Sequence, residues 1–208
     1  MDLIPSSILT DPLKFKALLW PDVVFYDKQV DIIYSVRDND ETFVPAGNML
    51  GKDYVAGFVC LWFFLSRNPC RIITTSAKDD HLKVLWGEIN NFIQTTRFPL
   101  DSRLGGPLAV NHQSIRKVLT NGERCPKSYM QGMVASQDAI AAMQGHHIAQ
   151  TGDGVPRAMF VVDEAAWKMS LPRPKEPAPT LPPETNLARK RPNRCSGPSV
   201  PAANRSMI

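Results

Sequence analysis

The chain of 208 residues lacks several signatures, and each absence narrows what it can be. No triplet or heptad repeat runs through it, which excludes a collagen and a coiled coil. Cysteine is scarce: Cys60, Cys70, Cys125 and Cys195 are the only four, and none stands at CxxC spacing. That excludes a cysteine zinc site and a disulfide frame, and it predicts reduced thiols in a cytosolic protein. The longest apolar stretch, Tyr54 to Leu65, is twelve residues, too short to cross a bilayer, so no membrane role is expected. The opening MDLIPSSILTDPLKFK has no basic segment followed by an apolar run and does not resemble an export signal.

What is present is an ordinary globular composition, 43% hydrophobic and 21% charged. It suffices for one core of about 150 residues and an appendage, not for two full domains. The net charge of +4 is unevenly placed. Residues 171 to 208 hold seven basic and two acidic residues and nine of the 18 prolines, leaving −1 for the first 170. So many prolines can neither sustain a helix nor fill a sheet, and a disordered tail over 171–208 is expected. Its basic charge suits either an electrostatic hold on DNA or a merely solvated linker.

Along the chain, residues 1–25 form a lead-in punctuated by Pro5, Pro12 and Pro21, and a domain over 26–170 follows. Apolar residues at helical spacing predict a first helix from Tyr26 to Val36. Glu41 to Val44 has the look of a short buried strand running into a loop at Pro45 and Gly47. Lys52 to Ser66, stopped by Asn68-Pro69, predicts a helix apolar on nearly every side and therefore packed inside an α/β domain. Arg71 to Thr75 is a β-branched strand. In Ala77 to Thr96, Leu82, Leu85, Trp86, Ile89, Phe92 and Ile93 line one helical face behind an acidic first turn, Asp79-Asp80. Leu108 to Val110 is a short apolar run, Ser128 to Ala135 a weak strand, and Ala158 to Val162 the strongest strand signal, ending in Asp163 and Glu164. Strand, helix, strand, helix is the rhythm of a parallel sheet.

The loop before the apolar helix reads Ala46-Gly47-Asn48-Met49-Leu50-Gly51-Lys52-Asp53 and matches the last glycine and lysine of the phosphate-loop pattern GxxxxGK followed by Ser or Thr. Glycines turn backbone N–H groups toward a β-phosphate, the lysine neutralises the β/γ charge, and the helix offers its positive N-terminus. Ala46 replaces the first glycine. Asp53 replaces the hydroxyl that ligates Mg²⁺; its carboxylate can bind the metal but repels phosphate. Lys52 and Asp163 are 111 residues apart. In ATPases of this kind the strand-end aspartate holds Mg²⁺ through water and the next acid, here Glu164, polarises the attacking water. Gln29, 23 residues before Lys52, can read an adenine edge through its amide. Each feature has a plainer reading: a glycine turn with a surface lysine, a strand ending in solvated acids, an exposed glutamine.

Together these pieces resemble the ATPase half of a tailed-bacteriophage terminase large subunit, over about Tyr26 to Trp167. The carriers are VPAGNMLGKDYVAG (44–57), RIITTSAKDDHLKVLWGEI (71–89), MQGHHI (143–148) and FVVDEA (160–165). The resemblance implies a three-layer P-loop NTPase fold with a mostly parallel sheet, incomplete beyond the catalytic strand, and ATP and Mg²⁺ as cofactors. It implies phosphate binding by Lys52 and the loop, metal binding by Asp163 with Asp53, and Glu164 as catalytic base. It also implies double-stranded DNA, a terminase small subunit and a portal protein as partners, assembly into a homo-oligomer on the portal, and a place in the bacterial host cytoplasm. The family's nuclease half does not follow: past Trp167 the sequence becomes proline-rich, as in a truncated or frame-shifted product. No arginine finger falls within 46–53, and His146 and His147 read as solvated loop residues. The rivals are another DNA-dependent, helicase-like ATPase, and an inactive remnant serving as an interaction module.

Overall fold

The computed structural model describes residues 4–45, 50–135, 155 and 157–163. All of them fall in the unit Met1–Ser170 into which the chain divides before Leu171.

The layering follows from one segment. In Lys52–Ser66 every turn offers apolar side chains to all sides, so the helix can be stable only if surrounded. It is: residues from Val55 to Leu65 are almost all buried, and the helix packs against three other helices and a strand. In chain order the helices are α1 (Ser6–Leu9), α2 (Pro12–Leu19), α3 (Asp27–Asp38), α4 (Lys52–Ser66) and α5 (Asp79–Gln94), with a 3₁₀ turn at Ser102–Leu104. Gly57 brings α4 and α5 together, since a Cβ there would lie 3.0 Å from the Cβ of Glu88 and 3.2 Å from the backbone nitrogen of Ile89.

The lead-in belongs to this core. Pro12 takes the first position of α2, where a missing N–H costs nothing, and the Asp11 carboxylate caps the helix by accepting from the N–H groups of Leu13 and Lys14. Phe15, Leu19 and Trp20 are buried. The Trp20 indole stands edge-on to Phe58 and Phe92 and donates to the Phe92 carbonyl at 2.9 Å. Trp62 donates likewise to the carbonyl of Leu9.

The strands are β1 (Arg71–Ser76), β2 (Leu108–Asn111), β3 (Ser114–Val118), β4 (Arg124–Val134) and β5 (Ala158–Val162), in the order β2-β3-β4-β1-β5. β1 is an interior strand and pairs in parallel with β4 (Arg71 opposite Tyr129) and β5 (Arg71 opposite Ala158); β2 and β3 extend the sheet as an antiparallel hairpin. Being flanked on both sides, β1 is buried from Ile72 to Ser76. α5 closes on it through Trp86, whose indole donates to Thr74 Oγ1 at 3.0 Å. The result is an α/β domain whose five-stranded mixed sheet has a parallel core, compatible with a Rossmann-like or a P-loop fold.

Two expectations are corrected. Glu41 to Val44 is not a strand: it pairs with none of the five, and Phe43 is 71% exposed. A strand exists only through its neighbours' hydrogen bonds, and this segment is held instead to α3 by the hydroxyl pair Ser35–Thr42 at 3.0 Å. The sheet is also mixed rather than simply βαβ-wound, because Ser114–Val118 forms a strand the sequence did not signal. β5 is an edge strand among the described residues, with Phe160 and Val162 half exposed. Among those residues no helix is long and apolar enough to cross a membrane. The tail expected over 171–208 lies outside them.

Near the start of β1 the core holds a lysine. Lys117 of β3 is 6% exposed, lies over the Phe64 ring and donates to the Arg67 carbonyl. Burial pushes its pKa down to about 8 from 10.5. Cys60 and Cys70 are buried too, and burial pushes both thiols up to about 12. An amine with a lowered folded pKa binds fewer protons in the folded than in the unfolded chain between pH 8 and 10.5, so the lysine's contribution to stability rises with pH there, while the two raised thiols contribute the opposite slope above about pH 9. The slope is at most about 1.4 kcal/mol per pH unit. Urea unfolding of the unmodified chain and of Lys117→Met across this range isolates the lysine: the variant should be more stable at pH 7, and its advantage should shrink as the pH nears 10.5. An unchanged slope in the variant would contradict the burial account.

Candidate functional site

Helix α4 begins from a left-handed residue. Gly51 has φ +69°, and a Cβ there would also press to 2.9 Å from Nε2 of Gln29. Both facts select glycine. The start of α3 braces this turn: the Tyr26 hydroxyl donates to the Leu50 carbonyl at 2.7 Å. Gln29 is 6% exposed, and its Oε1 lies 3.4 Å from the Tyr26 N–H. Gln29 is therefore a buried brace between α3 and the loop, not an exposed residue.

Lys52 is the first residue of α4, and Asp53 lies in its first turn, where a carboxylate complements the helix dipole. On the other side, Asp163 follows the last residue of β5 and is fixed by its backbone N–H, which donates to the Thr75 carbonyl of β1 at 2.9 Å. Lys52 Nζ stands 3.6 Å from Asp163 Oδ1, with both side chains largely shielded. The two elements named by the loop and by the strand-end acid thus meet. Two residues that the sequence reading missed share the carboxylate. Ser76 Oγ donates to Asp163 Oδ2 at 3.3 Å, and His81 Nδ1 of α5 lies 3.7 Å from the same oxygen. Their signal was positional: Ser76 is the last residue of β1, beside the strand that leads to Asp163, and His81 stands in the first turn of the helix that follows.

Lys52, Asp53 and Asp163 line one charged end of a cleft of about 1000 Å³, whose lining also includes Arg37, Asp38, Asp40 and Arg67. Its walls are Val55, Ala56 and Val59 of α4, the extended segment Thr42 to Pro45, and the residues of β5. The charged end coincides with the C-terminal ends of β1 and β5, where open α/β sheets bind ligands. Ala46, Gly47, Asn48 and Glu164 lie outside the described residues, as do His146 and His147. Among the described residues no three His, Cys, Asp or Glu side chains form a metal-holding group.

No protein-family model and no curated protein matches the chain. Fold and site define an α/β domain with a lysine at a helix N-terminus facing an aspartate at the end of a parallel strand.

Replacing Gly51 by Ala should cost about 1–2 kcal/mol, from a Cβ in the left-handed region and its contact with Gln29. Asn, which tolerates that region better, should still meet Gln29 but lose less to strain. Unfolding free energies of the two variants measure this, and a neutral Gly51→Ala would show that the turn is not held in this conformation.

Proposed function

We propose that this domain binds ATP with Mg²⁺ at the charged end of the cleft, as the ATPase domain of a phage terminase large subunit does. The observation that carries the reading is the 3.6 Å approach of Lys52 to Asp163 at the strand ends, from positions 111 residues apart. In this reading the Lys52 ammonium neutralises the β/γ-phosphates, helped by the α4 N-terminus and by backbone amides of the loop at Ala46, Gly47, Asn48 and Gly51. The Lys52–Asp163 ion pair at 3.6 Å would have to part to admit phosphate and metal between the two groups.

The chemistry of the donors fits Mg²⁺, which is held by one or two carboxylates together with substrate phosphates rather than by an all-protein cage. Asp163 would hold it, with Asp53 as the second carboxylate. The metal would neutralise charge on the transferring phosphoryl group. Glu164, next in sequence to Asp163, is the base that takes a proton from the attacking water. An adenine role for Gln29 would fall to its Nε2, which packs under the Gly51 turn, since its oxygen faces the Tyr26 N–H.

The finer reading follows the family resemblance: turnover coupled to packaging of double-stranded DNA, with a terminase small subunit, a portal protein and assembly on that portal, in the bacterial cytoplasm. A second reading is a nucleotide-binding module without turnover. It is favoured by Asp53, which stands where a metal-binding hydroxyl is usual, and by the half-exposed β5 edge.

Equilibrium binding of a fluorescent ATP analogue tests the core of this. Lys52→Ala should weaken affinity roughly tenfold to a hundredfold, the value of a charged contact to phosphate. Asp163→Asn should abolish the dependence on Mg²⁺. Unchanged affinity in both variants would refute nucleotide binding here. DNA-stimulated ATP hydrolysis by the intact chain would favour the motor over the silent module.

A further inference from the structure

Arg67, the first residue past α4, carries a charge that the described residues leave unmatched. Its guanidinium lies over the rings of Phe63, at 3.8 Å from the centroid, and Trp62, at 4.8 Å. Burial pushes its pKa down to about 10, and the nearby Arg157 guanidinium pushes the same way, so it is still charged at neutral pH. Among the described residues no carboxylate pairs with it; Nη1 donates to Ser66 Oγ at 2.8 Å, while Nε is shielded from solvent and has no acceptor. Arg37 and Arg103 use the same Nε–Nη2 edge to grip a carboxylate twice over, Asp38 at 2.6 and 2.7 Å and Asp101 at 2.9 and 2.6 Å. The ring stacking and the C-terminal end of α4 both favour a cation, but neither supplies an acceptor to that edge. A charge drawn from water without a hydrogen-bonding counter-charge is costly, and an arriving anion relieves the cost. The backbone beneath it is pinned, since Lys117 donates to the Arg67 carbonyl and Arg157 to that of Asn68.

We propose that Arg67, Lys14 and the hydroxyls of Ser7 and Ser66 bind the phosphate group of a small ligand, at the opposite end of α4 from Lys52. All four line a recess of about 500 Å³, and Arg67 is shared between it and the larger cleft. The site does not depend on the nucleotide reading above. A planar guanidinium edge matches two phosphate oxygens, which a point charge does not. The exposed Lys14 ammonium adds a second cation, and the seryl hydroxyls donate to the remaining oxygens. Seating the phosphate takes a small swing of the guanidinium across the Phe63 ring, which brings Nε out to an oxygen. Arg37 also lines the recess but is committed to Asp38. Asp11 lines it too, with its carboxylate turned to the N–H groups of Leu13 and Lys14. Together with Asp38 and Asp40 in the adjoining cleft, Asp11 repels an extended polyanion, which favours a small phosphorylated molecule over nucleic acid.

Calorimetric titration of the intact chain with inorganic phosphate, at constant ionic strength set with sodium chloride, tests this. Arg67→Met, which keeps the packing on the two rings and removes the charge, should weaken phosphate binding by about tenfold to a hundredfold. Its urea midpoint should be unchanged or higher, because an unmatched charge has gone. Arg67→Lys, which restores the charge without the planar edge, should recover only part of the affinity. Lys14→Ala, at an exposed position, should weaken binding by about twofold to fivefold and leave the unfolding transition alone, which keeps the test sound even if Arg67→Met does not fold. Lys52→Ala should retain the Arg67-dependent binding, so that failure of this site and failure of the nucleotide site are told apart. No heat of phosphate binding, or binding that Arg67→Met and Lys14→Ala leave unchanged, overturns the inference. A lowered urea midpoint in Arg67→Met with its phosphate affinity kept would make the arginine a packing residue and overturn it as well. Displacement of the phosphate by a DNA duplex at equal ionic strength would overturn the assignment to a small ligand.

Discussion

The parallel pairing of β5 with β1 is the constraint from which the site derives. Thr75 lies opposite Val162, and one further hydrogen bond, from the Asp163 N–H to the Thr75 carbonyl, fixes where the carboxylate emerges. A slip of one residue would turn Asp163 to the other face of the sheet. Held in this register, Asp163 meets Lys52 from α4 and Ser76 and His81 from the β1–α5 corner. Two separate stretches of chain meet the carboxylate at the end of β5 because β1 is paired on both edges and α4 is buried beside it.

The apolar packing has a consequence for the loop as well. α4 cannot shift along its axis without exposing its apolar surface or driving Gly57 into α5, so its N-terminus is a fixed point. Gly51 then has to reverse the chain in the left-handed region, and Tyr26 and Gln29 support that turn from α3. Helix start, glycine and brace form one unit, which explains why Gln29 is buried although it is polar.

Much of this was legible in the sequence, for reasons that differ by element. α4 was read with its observed ends because its apolar run is bounded by Gly51 and by Asn68-Pro69, and α5 because its core residues repeat with helical period. β1 and β5 are short β-branched or apolar runs with no competing signal. The hairpin was harder. β3 reads Ser-Ile-Arg-Lys-Val, with charges that speak against a strand, yet Ile115 and Lys117 point inward and are buried. Its turn, His112-Gln113, lacks the glycine that announces a tight hairpin. Glu41 to Val44 misled because strand propensity is local while strand formation needs a partner. Lys52, Asp53 and Asp163 could be picked out from motif spacing. Ser76 and His81 could not, since their role depends on which strand ends lie side by side.

A double-mutant cycle on nucleotide binding in Mg²⁺, using Lys52→Ala, Asp163→Asn and the pair, tests the central claim most directly. If both side chains address one bound metal–nucleotide unit, the losses are non-additive by about 0.5–3 kcal/mol. Strict additivity, within about 0.3–0.5 kcal/mol, would mean that the lysine and the aspartate do not share a ligand, and the account of the site would fail.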